Sequence, residues 1–212
     1  MLRYNCAVAY ERSAGISEAA SAVKRGALVV LPTDTVYGLG CDAFNPPAVE
    51  ALLAAKRRER DMPVPVLIGS WHTLDGLVDH VPAYVHDLVR AFWPGGVTLV
   101  VRHAPSLAWD LGDAFGTVAV RMPLHAVAVE LLQLTGPMAV SSANISGQVP
   151  ATTCDNAQMQ LGGDVAVYLD GGQSAQAVPS SIVDCTGTRP RLLRAGALTA
   201  DEIRDVVPDL TD

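Results

Sequence analysis

The segment 27–60 places a short apolar run, a polar loop and a helix in direct succession. Ala27 to Leu31 is apolar and rich in β-branched residues, and Pro32 ends the run. An uninterrupted run of this kind predicts a strand that is buried on both faces, not an alternating edge strand. Buried strands of this kind belong to sheets that are covered by helices on both faces. The segment therefore predicts an α/β fold.

Polar residues follow this strand directly. Thr33 to Thr35 and Tyr37 come after the strand's carboxyl end, where open α/β sheets usually bind their ligands. Gly38 and Gly40 would let the backbone pass close to a ligand, because glycine has no side chain. We therefore predict a binding loop at this position.

A helix is predicted from Asn45-Pro46-Pro47 to about Lys56, because Asn caps helices and proline starts them. One stripe of this helix consists of Val49, Leu52, Leu53 and Lys56. Lys56 thus lies on the face that points towards the protein. Arg58 lies roughly 200° further round, so both cations can meet one ligand only if the helix loosens near residue 57. The alternative is a lysine that snorkels beside a solvated basic helix end.

The remaining periodicity predicts alternating helices and strands in a single domain over residues 1–212. The predicted helices cover 16–25, 70–78, 82–92, 126–134 and 153–161, with a last short helix opened by a capping box of Thr199 and Glu202. The predicted strands cover 66–68, 97–102, 117–121, 138–141 and 165–169, and a hairpin joins 181–185 to 191–194. Ser70 is the predicted cap of the helix over 70–78.

Composition limits the class of protein. Hydrophobic residues make up 50% of the 212 residues and charged residues 17%, as in compact globular proteins. A net charge of −7 argues against non-specific nucleic-acid binding as the main function. The start of the chain has no signal-peptide pattern and no apolar run is long enough to span a bilayer, so we expect a cytoplasmic protein without membrane contact. Four scattered cysteines indicate neither a metal site nor disulfides.

Four cations and three hydroxyl or amide loops remain as candidates for chemistry. The cations are Lys56, Arg58, Arg121 and Arg194, and the loops are 33–35, 141–146 and 180–181. Arg121 ends the strand TVAVR, where a buried cation needs an anionic partner. Two alternatives stay open, a pocket that binds a carboxylate or phosphate and a structural pair with one of the 22 acidic residues. The pattern GxGxxA at 38–43 does not predict a dinucleotide site, because six residues separate it from the strand.

Seven ordered stretches resemble the YrdC/Sua5 family of L-threonylcarbamoyladenylate synthases. They are LPTDTVYGLGCDA, AAKRR, WPGGVTLV, TVAVRMP, VSSANISG, PSSIVD and LLRAGA, and the resemblance spans about residues 14–207. It implies an α/β fold, a YrdC-like twisted open mixed sheet flanked by helices, with a concave cationic cavity. It also implies that L-threonine, bicarbonate and ATP, accompanied by Mg²⁺, become threonylcarbamoyl-adenylate and pyrophosphate. The product serves N6-threonylcarbamoyladenosine formation at position 37 of tRNA, through a tRNA threonylcarbamoyl-transferase complex downstream.

The resemblance also implies residue roles. A Lys-x-Arg and Ser-x-Asn tetrad falls on Lys56, Arg58, Ser142 and Asn144, which are expected to be catalytic and to bind ATP. Thr35, Arg121 and Ser180 match positions that bind L-threonine. Thr117 and Arg194 match further nucleotide-binding positions.

This sequence departs from the family pattern in two places. Many relatives have a proline and then an Asn-Pro-Leu segment ending in His where this chain has Glu59, Met62, Val64 and Leu67, and Pro150 replaces a frequent serine. Longer relatives also carry an extra C-terminal domain. Two other functions remain alternatives, a module that binds double-stranded RNA or tRNA without catalysis, and a carbamoyl-adenylate-forming domain like that of hydrogenase-maturation carbamoyltransferases.

Overall fold

The computed structural model describes residues 1–211, which form one ten-stranded mixed sheet flanked by helices. The strands are β1 (Leu2–Asn5), β2 (Val29–Leu31), β3 (Gly38–Asp42), β4 (Val66–Leu67), β5 (Val97–Arg102), β6 (Thr117–Arg121), β7 (Met138–Ser142), β8 (Val167–Asp170), β9 (Ser181–Asp184) and β10 (Arg191–Arg194). The helices are α1 (Ala9–Lys24), α2 (Pro46–Lys56), α3 (Leu74–Leu77), α4 (Ala83–Phe92), α5 (Ala126–Thr135), α6 (Cys154–Leu161) and α7 (Ala200–Arg204). Short 3₁₀ turns, at Trp71–Thr73 and Gly162–Asp164, precede α3 and follow α6.

The strand order is β1-β8-β2-β3-β7-β4-β6-β5-β9-β10, so sequence neighbours are often separated in space. Four pairs are parallel, namely β1 with β8, β8 with β2, β4 with β6, and β5 with β9. The other five pairs are antiparallel. The mixed α/β sheet expected from the sequence is therefore confirmed.

The two faces of the sheet carry separate cores, because successive side chains of a strand point to opposite faces. Val29 and Leu31 of β2 pack with α1 and α5, whereas Val30 packs in the core that contains α2 and α4. This strand is buried on both faces, as its uninterrupted apolar run predicts. On the α1 and α5 side, the strand residues of the core belong to β2, β4, β7 and β8.

Residues 38–42 form a strand, so the two glycines do not belong to the predicted loop, which covers residues 32–37. β3 pairs with both β2 and β7, and it is buried except at its last residue. A Cβ on Gly38 would lie 2.6 Å from Cγ1 of Val140, and one on Gly40 would lie 2.9 Å from Cε of Met138. These glycines therefore allow close packing between strands, and Gly38 also lines a cavity on one face of the sheet.

The other elements match the predictions closely, with differences at the ends. β1 was not predicted, and α1 begins seven residues before the expected start at residue 16. Asn45 caps α2 by accepting from the amide of Ala48 at 3.2 Å, and the capping box at Thr199 is present. Ser70 makes no capping hydrogen bond, so that prediction was wrong. Within residues 1–211, every helix is too short or too polar to cross a bilayer.

Candidate active site

A cavity of about 450 Å³ lies on the sheet face that continues from the α1 and α5 core. Leu67 and Val140 belong to that core and also line the cavity. On β5, Thr98 and Val100 face the cavity, whereas the alternate residues Val97, Leu99 and Val101 are buried in the opposite core. The alternation along the strand thus decides which side chains can reach a ligand.

Seven of the nine residues predicted for the site line this cavity, and they come from distant parts of the chain. They are Thr35, Arg58, Thr117, Arg121, Ser142, Ser180 and Arg194. Lys56 and Asn144 lie directly behind the wall, where both are buried. The fold therefore gathers the predicted residues into one place and divides them into lining and supporting positions.

Lys56 supports the loop that follows β7. Its side chain is 2% exposed, and its Nζ donates to the carbonyl oxygens of Ser142 at 2.5 Å and Asn144 at 2.7 Å. The Oδ1 atom of Asn144 lies 3.4 Å from the same Nζ. Burial, with a smaller contribution from Arg58, lowers the pKa of Lys56 to about 8. The three oxygen acceptors favour the ammonium form and oppose this change. Lys56 does not snorkel to solvent, so that alternative was wrong.

The chain turns sharply after Lys56, as the spacing of the two cations requires. Arg57 adopts a left-handed conformation with φ of 52°, which ends α2. Arg58 then points into the cavity, where it donates to Oγ of Ser141 at 3.0 Å and to the carbonyl oxygens of Met62 and Pro63. Burial lowers the pKa of Arg58, the nearby Asp61 carboxylate opposes this, and Arg194 makes a smaller lowering contribution.

Arg194 approaches from β10, near the far edge of the sheet. Its Nη2 donates to the carbonyl oxygen of Ser180 at 2.7 Å and to Oγ of the same residue at 3.3 Å. Neither Arg58 nor Arg194 forms an ion pair with a carboxylate in residues 1–211. Both side chains line the cavity and their hydrogen bonds go only to neutral oxygen atoms, while the Asp61 carboxylate acts on Arg58 without forming an ion pair.

Arg121, by contrast, has an internal anionic partner. Its Nη2 lies 2.6 Å from Oδ1 of Asp34, and both side chains are almost fully buried. Its Nη1 donates to Oγ1 of Thr35 at 2.8 Å, and its Nε donates to the carbonyl oxygen of Gly95. Burial lowers the pKa of Arg121 and Asp34 opposes this, so the guanidinium stays charged. The structural pair considered from the sequence is therefore real, and Arg121 still lines the cavity.

The sequence reasoning missed two contributors to this site. Asp34 was noted in the polar loop but was not named as the partner of Arg121, and Thr98 was assigned only to a strand. A hydroxyl between two apolar residues of a buried strand was the available signal for Thr98, which lies 2.8 Å from Oγ of Ser180. No local pattern pairs Asp34 with Arg121, because 87 residues separate them.

The atypical segment after Arg58 contributes mainly backbone to the site. The carbonyl oxygens of Met62 and Pro63 hold Arg58, whereas the side chains of Glu59 and Met62 are exposed. Val64, Leu67 and Pro150 line the cavity with apolar surface. Leu67 and Pro150 therefore put apolar lining where the family pattern has His and often Ser, and the position of Arg58 stays supported.

Known proteins provide an independent comparison. A family model covering Sua5, YciO and YrdC, described as telomere recombination, matches residues 21–196. A Mycobacterium tuberculosis H37Rv protein, provisionally named threonylcarbamoyl-AMP synthase, is 59% identical over 204 residues, which are 96% of this chain and 94% of that protein. The threonylcarbamoyl-AMP synthase of Pyrococcus abyssi is 37% identical over 193 residues, which are 91% of this chain and 57% of that protein.

Solved structures agree with the sequence comparison. The crystal structure of P. abyssi Sua5 complexed with L-threonine matches with a TM-score of 0.92 and 34% identity, covering 99% of this chain and 61% of that one. Escherichia coli YciO matches with a TM-score of 0.82 over 95% of this chain and 97% of its own, and at 21% identity it supports the fold alone. By sequence, fold and the order of its motifs, this chain belongs to the Sua5/YciO/YrdC family.

Proposed function

We propose that this protein is a threonylcarbamoyl-AMP synthase. It combines L-threonine, bicarbonate and ATP into threonylcarbamoyl-AMP, with release of pyrophosphate and water. The observation that carries the proposal is the pairing of two different cationic subsites in one cavity. Arg58 and Arg194 form no ion pair with a carboxylate within residues 1–211, whereas Arg121, which lines the same cavity as Thr35, is paired with the buried Asp34.

The subsite at Arg121 suits an amino acid. A guanidinium has five N–H donors, and Gly95, Thr35 and Asp34 accept three of them. Two donors remain, enough for one carboxylate. Because Asp34 already balances the charge of Arg121, the neighbouring wall also tolerates the ammonium group of a zwitterion. A matching structure was solved with L-threonine, and relatives carry the name of this synthase.

The subsite at Arg58 and Arg194 suits the phosphates of ATP. Arg58 is half-buried and Arg194 is exposed at the cavity, and both donate only to neutral oxygens, so phosphate oxygens would balance their positive charge. Thr117 and Ser142 line the same cavity, and because the Thr117 hydroxyl donates to the carbonyl oxygen of Ala114, it could only accept a hydrogen bond from a nucleotide. The cavity thus separates a polyphosphate region from an amino-acid region.

In the reaction, the amine of L-threonine and bicarbonate form a carbamate, whose oxygen attacks the α-phosphorus of ATP while pyrophosphate leaves. Phosphoryl transfer of this kind depends on positioning and charge neutralisation more than on covalent help. Arg58 and Arg194 would neutralise the polyphosphate, and Arg121 would hold the threonine carboxylate. Lys56 would act by holding the Ser142 to Asn144 loop, because its ammonium is occupied by that loop.

Mg²⁺ would enter with ATP as part of the substrate. In the part of the chain that the structure describes, no Asp or Glu side chain lines the cavity. The chain's own residues therefore do not make a magnesium site, and ATP oxygens and water are suitable ligands. The product would pass to a tRNA threonylcarbamoyl-transferase complex in the cytoplasm.

The test is pyrophosphate release by the purified protein with ATP, Mg²⁺ and bicarbonate, comparing L-threonine, L-serine and no amino acid. Release that requires both L-threonine and bicarbonate is expected. A folded protein that binds ATP without such release would contradict the proposal. Salt-dependent binding of tRNA without turnover would instead favour the RNA-binding alternative.

A further inference from the structure

Two threonine hydroxyls touch each other on the cavity wall. Oγ1 of Thr33 lies 3.1 Å from Oγ1 of Thr35, and both residues line the cavity and are buried. The family resemblance gives Thr35 a role in binding L-threonine, and it gives none to Thr33. Which of the two hydroxyls donates in this contact follows from the other hydrogen bonds that each one makes.

The hydroxyl of Thr33 has one proton to donate and two lone pairs that accept. Its Oγ1 lies 2.6 Å from the carbonyl oxygen of Val36, which can only accept, so the proton of Thr33 points there. The amide of Thr35 donates to the same Oγ1 at 3.3 Å. One lone pair of Thr33 remains, and it faces the hydroxyl of Thr35. Thr35 must therefore donate to Thr33.

The hydroxyl of Thr35 is limited in the same way. Its only proton is used on Thr33, and Arg121, which cannot accept, donates to its Oγ1 through Nη1 at 2.8 Å. A single lone pair of Thr35 is left for the cavity. At this point of the wall, a ligand can give a hydrogen bond but cannot receive one.

We propose that Thr33 determines ligand specificity by fixing the proton of Thr35, so that the ligand group at Thr35 must be a hydrogen-bond donor. For an amino acid, that group is the ammonium or a side-chain hydroxyl. Carboxylate and phosphate oxygens are excluded from Thr35 because two acceptors would meet there. The carboxylate is directed to the two remaining donors of Arg121, which fixes the orientation of the amino acid. This inference rests on the proposed function and adds to it a positioning residue, Thr33, and the direction of the hydrogen bond between the ligand and Thr35.

The experiment measures L-threonine binding by isothermal titration calorimetry for the wild type and for Thr33→Val, Thr33→Ser and Thr135→Val. In Thr33→Val the Thr35 hydroxyl is free to rotate and donate, so we expect about tenfold weaker binding, the usual effect of one misdirected hydrogen bond. Thr33→Ser keeps the hydroxyl and should bind like the wild type. Thr135 also donates to a backbone carbonyl, that of Leu131, and lies on α5 away from the cavity lining, so its valine variant is the matched control.

L-Valine serves as a second ligand, because it has the shape of L-threonine without the hydroxyl. A loss in Thr33→Val that affects L-threonine more than L-valine would place the ligand hydroxyl at Thr35. An equal loss would place the ammonium there, and either result supports the proposal. ATP binding and thermal unfolding of the same variants separate this effect from a general loss of structure.

Three results would overturn the inference. L-Threonine affinity in folded Thr33→Val could equal that of the wild type, or Thr33→Ser could bind as weakly as Thr33→Val. If the valine variant does not fold, Thr33→Cys replaces it, because a thiol is only a weak donor and acceptor. Unchanged L-threonine binding in the cysteine variant would also contradict the proposed role of Thr33. A wild type that binds no L-threonine would instead overturn the proposed function, and with it L-threonine as the ligand at Thr35.

Discussion

The ammonium of Lys56 lies 2.7 Å from the carbonyl oxygen of Asn144, although 88 residues separate them. The same ammonium contacts the carbonyl oxygen of Ser142, and it holds the loop between two predicted site residues. Lys56 and Lys24 are the two lysines of the sequence. One is buried in the site, and the other is exposed in the last turn of α1. This contrast provides a matched control for every experiment on Lys56.

Lys56→Met should abolish most of the activity. The change leaves the oxygens of Ser142 and Asn144 without a buried donor and lets their loop move, and a displacement of about 1 Å can cost roughly a hundredfold in rate. We expect pyrophosphate release to fall by a factor of about one hundred or more. Lys24→Met should retain the wild-type rate, and a wild-type rate in Lys56→Met would remove Lys56 from the mechanism.

The stability of the protein should depend on pH through Lys56. Its pKa is about 8 in the folded protein and 10.5 for the ordinary group, so the unfolded state binds more protons between these values. The free energy of unfolding should therefore rise with pH from about 8 to 10.5, relative to Lys56→Met, because the folded state is relieved of a buried charge. Thermal unfolding of both proteins across this range measures the difference. If the difference in unfolding free energy between the two proteins did not change with pH, the three oxygen acceptors would keep Lys56 fully charged across this range.

Arg194→Gln should weaken ATP binding without unfolding the protein. Arg194 bonds only to oxygens of Ser180, so the charge that it directs to the cavity is available for phosphate. Charged hydrogen bonds of this type contribute about 1.5–3 kcal/mol, which corresponds to about 10- to 150-fold in affinity. Arg191 lies on the same strand but pairs with Asp184 outside the cavity lining. Arg191→Gln should bind ATP normally, and equal losses in the two variants would contradict this assignment.

Asp34→Asn should destabilise the protein strongly. It leaves the buried charge of Arg121 without its carboxylate partner, and breaking such a pair costs about 3–5 kcal/mol. Denaturant unfolding of Asp34→Asn and of Asp110→Asn makes the comparison, since Asp110 forms an exposed pair with Arg60. Loss of the surface pair should lower stability far less, because solvent screens exposed charges. Similar losses in both variants would contradict the importance of burial here.

Gly38→Ala should destabilise the sheet, although the residue lies in a segment predicted as a loop. Its new Cβ would lie 2.6 Å from Cγ1 of Val140, and overpacking of this kind costs about 1–3 kcal/mol. Gly163→Ala is the control, because a Cβ there would meet nothing within 4 Å. Equal stability of the two variants would indicate that β7 moves without cost.

The sequence predicted the strands and helices well where local chemistry decides them. The apolar run at Val29–Leu31 and the cap at Asn45 are examples, since burial on both faces and capping act over a few residues. Residues 38–42 were misread because glycine has two uses, freedom of the backbone and close packing, and a sequence does not distinguish them. β1 has exposed residues at three of four positions, so it lacks the apolar pattern of a strand.

Local sequence patterns were enough to show which residues could do chemistry here. The alternation in TVAVR already places Arg121 on the face opposite Val120, and the motif order identifies the family. The fold was needed to show that Asp34 neutralises Arg121, that Lys56 supports the wall from behind, and that Arg58 and Arg194 lack an ion pair within residues 1–211. These relationships join residues that are 14 to 88 positions apart. Hydrogen bonds and ion pairs depend on distances of a few ångströms, and the strand order of the sheet sets those distances.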